Sequence, residues 1–308
     1  MSVTVRVPAK VNVQLAVGGL RPDGFHDLAN VFLAVAIHDE VTVTPSDSLR
    51  ITVSGPNAHQ VPVDGSNLVA KAARLLAERF GTDPRVHLHI AKDIPVAGGM
   101  AGGSADCAAA LVACEALWGT GATREDLHTL AAELGSDVPF PLLGGAALGR
   151  GRGELLEPLE TGGTFHWVFA MAQGGLSTPA VYRECDRLRE ERGLGSSTAD
   201  IPAPQPSPEL LEALRLGDPA ALGARIAASN DLQEAALSLR PALAETLRTG
   251  TEAGALAALV SGSGPTCAFL AKDPESANDV AEALLASNTC RSVRVTHGPV
   301  GGAAVVGG

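Results

Sequence analysis

Pro95-Val96-Ala97-Gly98-Gly99-Met100-Ala101-Gly102-Gly103-Ser104-Ala105-Asp106 runs without a break into an apolar, alanine-rich stretch from Cys107 to Trp118. Glycines at 98, 99, 102 and 103 free the backbone to take positive φ and to pass close to a ligand with no Cβ in the way. Ser104 has the side chain to cap the helix that the following residues predict. Such a turn leaves backbone N–H groups at the positive end of a helix dipole, a place for an anion, and the phosphates of a nucleotide suit it best. Taken alone, the stretch also reads as a glycine-rich connector. It is not a Walker A loop, because no Gly-Lys-Ser/Thr closes it, and its glycines do not follow G-x-G-x-x-G.

On the N-terminal side, Asn67 to Phe80 has helical spacing and stops at Gly81. Val86, Leu88 and Ile90 then alternate with His87 and His89 as a strand that delivers Lys92 to the loop. Two histidines on one strand face lack a third metal ligand and read as exposed. Past the loop, the helix to Trp118 carries only Asp106 and Glu115 as charges and is expected to lie at the centre of its domain. Asp106 is a dipole partner in the first turn, or a group facing a metal or a nucleotide sugar; its residue type does not decide between these. Thr123 with Asp126 opens a further helix ending at Gly135. Asp137 follows in Ser136-Asp137-Val138-Pro139-Phe140, either as the cap of a short turn or as a carboxylate among apolar neighbours suited to accepting a proton.

Farther out, Val3, Val5 and Val7, then Val11, Val13 and Leu15, predict two short strands meeting at Pro8-Ala9. Lys10, Asn12 and Gln14 then share the face opposite the valines, which either turns to solvent, the commoner case, or lines a cleft with an ammonium and an amide aimed at one ligand. Arg21-Pro22-Asp23-Gly24 predicts a turn presenting Phe25 and His26. Residues 41–44 and 49–53 read as a strand pair around Pro45-Ser-Asp47. The C-terminal half predicts a buried strand at 165–172 and a helix from 180 that holds Tyr182, the chain's one tyrosine. An exposed excursion at 193–208 is followed by helical patterns at 209–216, 219–228 and 232–249. Next comes a second glycine loop, Ser261-Gly262-Ser263-Gly264-Pro265-Thr266, then a helix, a strand and a frayed tail.

Composition limits the function. A chain of 308 residues with 45% apolar content can bury a large core and suits two domains. Its net charge of −11, with no basic run, argues against nucleic-acid and anionic-membrane partners. The five cysteines show neither C-x-x-C nor metal spacing, and the start Met1-Ser-Val-Thr-Val5 has no signal-like apolar segment, so a cytoplasmic protein with reduced thiols is expected.

Three segments resemble the motifs of the GHMP kinases: Pro8-Ala9-Lys10-Val11-Asn12, Pro95 to Ser104, and Ser261 to Thr266. The finer pattern of Ala9-Lys-Val-Asn12, Arg21-Pro-Asp-Gly-Phe-His26 and Gly135-Ser-Asp-Val-Pro139 resembles one branch of that family. That branch phosphorylates the 2-hydroxyl of a cytidine-diphosphate-linked methylerythritol in the non-mevalonate route to isoprenoids. The resemblance implies an α+β, two-domain GHMP kinase fold with the active site in the interdomain cleft. Residues 1–156 would form the ATP-binding domain and residues 157–308 a domain contributing to substrate binding. ATP with Mg2+ is the implied cofactor, without a protein ligand for the metal. The implied partners are ATP and a small alcohol, and the oligomeric state stays open.

Carried onto this chain, Asp137 matches the base that takes the hydroxyl proton and Lys10 the ammonium that orients the hydroxyl and offsets charge. Pro95, Val96, Ala97, Gly98, Gly99, Met100, Ala101, Gly102, Gly103, Ser104 and Ala105 would hold the triphosphate, with Asn67 and Lys92 near the nucleoside. Asn12 and His26 match polar contacts to the substrate, Phe25 and Tyr182 an aromatic pair stacking on the cytosine, and Gly262, Ser263 and Gly264 the substrate side of the third motif. Phe25 stands where many relatives have Tyr, and Asp106 where others often have Asn. The same motifs allow, as an alternative, another small-alcohol kinase of the homoserine or mevalonate type.

Overall fold

Valine alternation builds the first sheet. The computed structural model describes residues 2–96, 98–226 and 228–307, and in it β1 (Val3–Leu20) and β2 (His26–Pro45) form a long antiparallel hairpin. The expected break at Pro8-Ala9 is instead a slip in the β1/β2 register within one continuous strand. A proline, which has no N–H to give the ladder, is tolerated at such an irregularity. Residues 41–44 and 49–53 do not pair with each other. β4 (Val86–Ala91) lies between β2 and β3 (Arg50–Ser54), antiparallel to β2 and parallel to β3. Parallel neighbours need a crossover, and α1 (Leu68–Phe80) supplies it. Asn67 caps α1 by accepting from the Val69 N–H, and Gly81 ends it in the left-handed conformation.

α2 (Gly102–Trp118) packs against α1, β1 and β2, and its run of small residues lets these elements approach on several sides. It begins two residues before Ser104, with Ala101 as the capping residue at φ 60° and no side-chain cap bond. The expected Ser104 cap is thus a residue of the first turn. α3 (Arg124–Leu134) starts with the expected Thr123–Asp126 capping box, and α4 (Pro139–Leu143) leads into β5 (Ala146–Arg150) and β6 (Leu155–Leu159), which extend the first sheet from β2. The expected domain boundary at 156/157 therefore falls inside β6, and the chain leaves the first sheet only after Leu159. The tail is not frayed: β11 (Ala304–Gly307) returns to pair with β1.

The second sheet is antiparallel, in the order β10 (Ser292–Gly298), β7 (Phe165–Met171), β9 (Cys267–Ala271), β8 (Ala257–Val260). α5 (Thr178–Glu191), α6 (Pro208–Leu216), α7 (Pro219–Ile226), α8 (Gln233–Leu239), α9 (Ala242–Glu252) and α10 (Pro274–Ala286) complete this half. The single helix expected over 232–249 is two, α8 and α9, broken at Arg240-Pro241 where proline cannot continue a helix and instead opens the next one. The excursion at 193–208 is pinned along β1: Leu20 N–H donates to Ser196 O at 2.7 Å, and Gln14 bonds both Gln205 O and Ser207 N–H. β1 also joins the two cores, since Val3 to Val13 pack in the first while Leu15 and Val17 pack with Val168, Val181 and Phe269 in the second. The cleft between the two halves opens along that strand.

Candidate active site

Both faces of β1 are buried where it passes the cleft, so of the two readings of the Lys10 and Asn12 face, solvent or cleft, the side chains take the second and line the cleft wall. Lys10 is 5% exposed. Its Nζ donates to Asn12 Oδ1 at 2.5 Å and to Gly99 O at 3.1 Å, and lies 3.9 Å from Asp137 Oδ2. Asn12 is held in turn by donating to Asn30 Oδ1 at 2.7 Å. Burial pushes the Lys10 ammonium below the usual lysine range, and the Asp137 carboxylate opposes that shift. Asp137 makes no capping bond among the described residues. The capping residue of α4 is Val138, without a side-chain cap bond, and the Asp137 side chain remains 40% exposed at the cleft.

The Gly99 carbonyl joins the three glycine and lysine segments, because it accepts from Lys10 Nζ and, at 3.2 Å, from Ser261 Oγ. This meeting depends on glycine. Gly99 has φ 71°, and a Cβ there would lie 2.3 Å from Ser261 O; Gly262, at φ 58°, comes so close that a Cβ would meet Asn12 Oδ1 at 3.0 Å. Asn230 secures the third loop by donating to Val260 O at 2.7 Å and Gly262 O at 2.8 Å. Gly99→Ala is expected to lower turnover about 10²-fold, the size of loss that a 1 Å misplacement of reacting groups brings. Steady-state kinetics on the folded variant check it, and a parent-like kcat would mean that the Gly99 carbonyl does not set the Lys10 position.

Of the expected phosphate loop, Pro95, Gly98, Gly99, Ala101, Gly102, Gly103 and Ser104 line the cleft. The first intrahelical bond of α2 runs from Ala105 N–H to Ala101 O at 2.8 Å, so the amides of Gly102, Gly103 and Ser104 sit in the first turn, ahead of that ladder. Helix-terminal amides of this kind suit an anion. Met100 and Ala105 are fully buried and, like the half-buried Val96, lie outside the lining, and Ala97 lies outside the described residues. Asn67 and Lys92, expected near the nucleoside, are not among the residues that line this cleft. The Asn67 amide donates to Pro62 O while its oxygen caps α1, and the Lys92 ammonium is enclosed by Asp39 and Asp106. Asp106 faces Lys92 inside the protein.

The opposite end of the cleft, whose volume is about 700 Å³, is aromatic. Tyr182 stacks on His26 with ring centroids 5.0 Å apart, and His26 Nε2 contacts the Asp186 carboxylate at 3.0 Å. Phe25 is 46% exposed, with the Arg152 guanidinium 4.8 Å from its ring centroid. The expected aromatic pair thus lines one cleft, with His26 against Tyr182 and Arg152 against Phe25. Asn30, Arg152, Thr178 and Asp186 were not singled out in the sequence. Only Asp186, one helical turn after Tyr182 on α5, carried a usable signal there. Ser263 lines the cleft beside Thr178, at 2.9 Å between hydroxyls, whereas Gly264 supports the turn from behind, packed toward Val260 and Leu176.

The family profile "GHMP kinases N terminal domain" matches residues 67–145 and "GHMP kinases C terminal" matches residues 210–289. A 4-diphosphocytidyl-2-C-methyl-D-erythritol kinase of Streptomyces avermitilis is 67% identical over 306 residues, covering 99% of this chain and 100% of the relative. That of Streptomyces coelicolor is 66% identical over 307 residues with the same coverage. A crystal structure of a 4-(cytidine 5'-diphospho)-2C-methyl-D-erythritol kinase superposes with a TM-score of 0.74 at 32% identity, covering 96% of this chain and 100% of that one. From the two matching family profiles and the full-length similarity, the chain belongs to the GHMP kinases, in the family of the 4-diphosphocytidyl-2-C-methyl-D-erythritol kinases.

Proposed function

We propose that the chain transfers the γ-phosphoryl group of ATP to the 2-hydroxyl of 4-diphosphocytidyl-2-C-methyl-D-erythritol. The observation that carries this reading is the Lys10 ammonium, 3.9 Å from the Asp137 carboxylate, between a phosphate-type helix terminus and an aromatic end of the same cleft. Phosphoryl transfer asks the protein for positioning, for charge neutralisation and for a group to take the nucleophile's proton. The first-turn amides of α2 bind the triphosphate. Asp137 accepts the proton of the acceptor hydroxyl, and Lys10 orients that hydroxyl and offsets the charge that develops on the transferring group.

Magnesium accompanies ATP in this chemistry, and when bound it neutralises charge on the β- and γ-phosphates. Among the described residues no cluster of three or more His, Cys, Asp or Glu side chains is placed to hold a metal. Ser104 and Asp137 are oxygen donors on the cleft wall, a set that fits an ion held mainly by phosphate oxygens and water. No helix among the described residues is long and apolar enough to cross a membrane, and we place the enzyme in the cytoplasm.

Phosphorus NMR of the product tests the reaction site. Carbon 2 of the acceptor bears no hydrogen, so phosphorylation of its hydroxyl gives a monoester signal without three-bond coupling to hydrogen; a coupled signal would put the phosphate on another hydroxyl and contradict the reading. Phe25 and Tyr182 are proposed to stack on the cytosine. Each changed to Ala is expected to weaken substrate binding by about 1–3 kcal/mol, as loss of base–aromatic stacking does elsewhere. Calorimetric titration checks this, and parent-like affinity would place the base elsewhere.

A further inference from the structure

We infer that Asp39, Lys92 and Asp106 form a buried strap that ties the two ends of the glycine-rich loop together, which makes Asp39 and Asp106 positioning residues for the nucleotide. Asp39 is fully buried on β2. Its Oδ1 accepts from the N–H groups of Asp93, at 2.6 Å, and Ile94, at 2.8 Å, the two residues that lead into Pro95. Its Oδ2 takes the Lys92 ammonium, which also donates to Asp106 Oδ2 at 2.7 Å, on the first turns of α2. The ammonium lies directly beneath the start of that helix, for a Cβ on Gly102 would come within 3.1 Å of Lys92 Nζ. One carboxylate on a central strand therefore fixes the leading end of the loop directly and its trailing end through Lys92.

The chain between these ties carries four glycines, the residues with the most backbone freedom to lose. Closing it into a ring meets that ordering cost during folding, so it is not charged to nucleotide binding. The arrangement also balances charge. Two carboxylates share one ammonium away from water, Asp106 Oδ1 has no partner among the described residues, and burial pushes the Asp106 carboxyl well up against the pull of Lys92. The upward push on the Asp106 carboxyl works against a build-up of negative charge behind the phosphate site.

The inference rests on reading the cleft as the ATP site, and the test separates the two. Mg-ATP binding is measured by calorimetry for the parent, Asp106→Asn and Asp106→Ala, together with amide hydrogen exchange of the ligand-free proteins. Asp106→Asn keeps an oxygen for Lys92 and is expected to match the parent in both. Asp106→Ala cuts the trailing tie and is expected to bind Mg-ATP about 10- to 100-fold more weakly, the loss that removing a supporting partner brings at other sites. Its Ala105 amide should exchange faster, while kcat at saturating ATP and KM for the alcohol stay near the parent's. Asp39→Asn sets an NH2 group against the Lys92 ammonium and carries the same expectation should the Ala variant not fold. Parent-like affinity and exchange in the cut variants, or a loss of kcat in place of ATP affinity, would overturn the strap. If the parent itself fails to bind Mg-ATP, the reading of the cleft fails, and the exchange data alone decide the strap.

Discussion

Asp137→Asn is expected to lower kcat by about 10²–10⁴-fold, the span that a positioned general base contributes, while Mg-ATP still binds. The amide has the size of the carboxylate but cannot take a proton. Asp137 stands at the cleft, outside the cap of α4, with the Lys10 ammonium 3.9 Å from its carboxylate. Its replacement should therefore leave the fold and the phosphate loop intact. Single-turnover kinetics beside calorimetric binding of Mg-ATP check both halves of the expectation. Parent-like turnover would remove Asp137 from the mechanism, whereas loss of nucleotide binding would recast it as part of the ATP site.

Lys10→Ala is expected to cost about 10²–10³-fold in kcat, as removal of one preorganised donor to developing charge does in other enzymes. The arginine variant should rescue little, because a planar fork does not fit the space that holds one ammonium between Asn12 Oδ1 and Gly99 O. The parent's pH profile offers an independent check. The protonated lysine is the working form, and burial lowers its pKa, so activity should decline on the alkaline side before an ordinary exposed lysine would titrate. A near-normal rate in Lys10→Ala would reduce Lys10 to a structural lysine.

Much of the site was legible in the sequence because its chemistry lies in short contiguous segments. The glycine loop, the Lys10–Asn12 pair and the 261–266 turn each announce backbone geometry through residue type, and all three meet at the Gly99 carbonyl. What local pattern could not carry was pairing. Alternation at 41–44 and 49–53 identified two strands, but the insertion of β4 between them depends on the α1 crossover. Burial of the polar face of β1 likewise depends on a second domain packed along that strand, which no alternation of valines reports. Ser104 was a good cap by type and lost that place because Ala101 takes the left-handed turn ahead of it. Lys92 shows the limit most clearly: a lysine before a phosphate loop suggests a ligand contact, while its two carboxylate partners lie 53 and 14 residues away in the chain.

The account's central claim is that one cleft joins phosphoryl transfer at Lys10 and Asp137 to recognition of a cytidine at Phe25 and Tyr182. It is tested most directly by coupled ADP release with Mg-ATP, comparing 4-diphosphocytidyl-2-C-methyl-D-erythritol with methylerythritol phosphate that lacks the cytidine. Turnover confined to the cytidylylated alcohol is expected. Equal turnover of both compounds, or of neither, would contradict it.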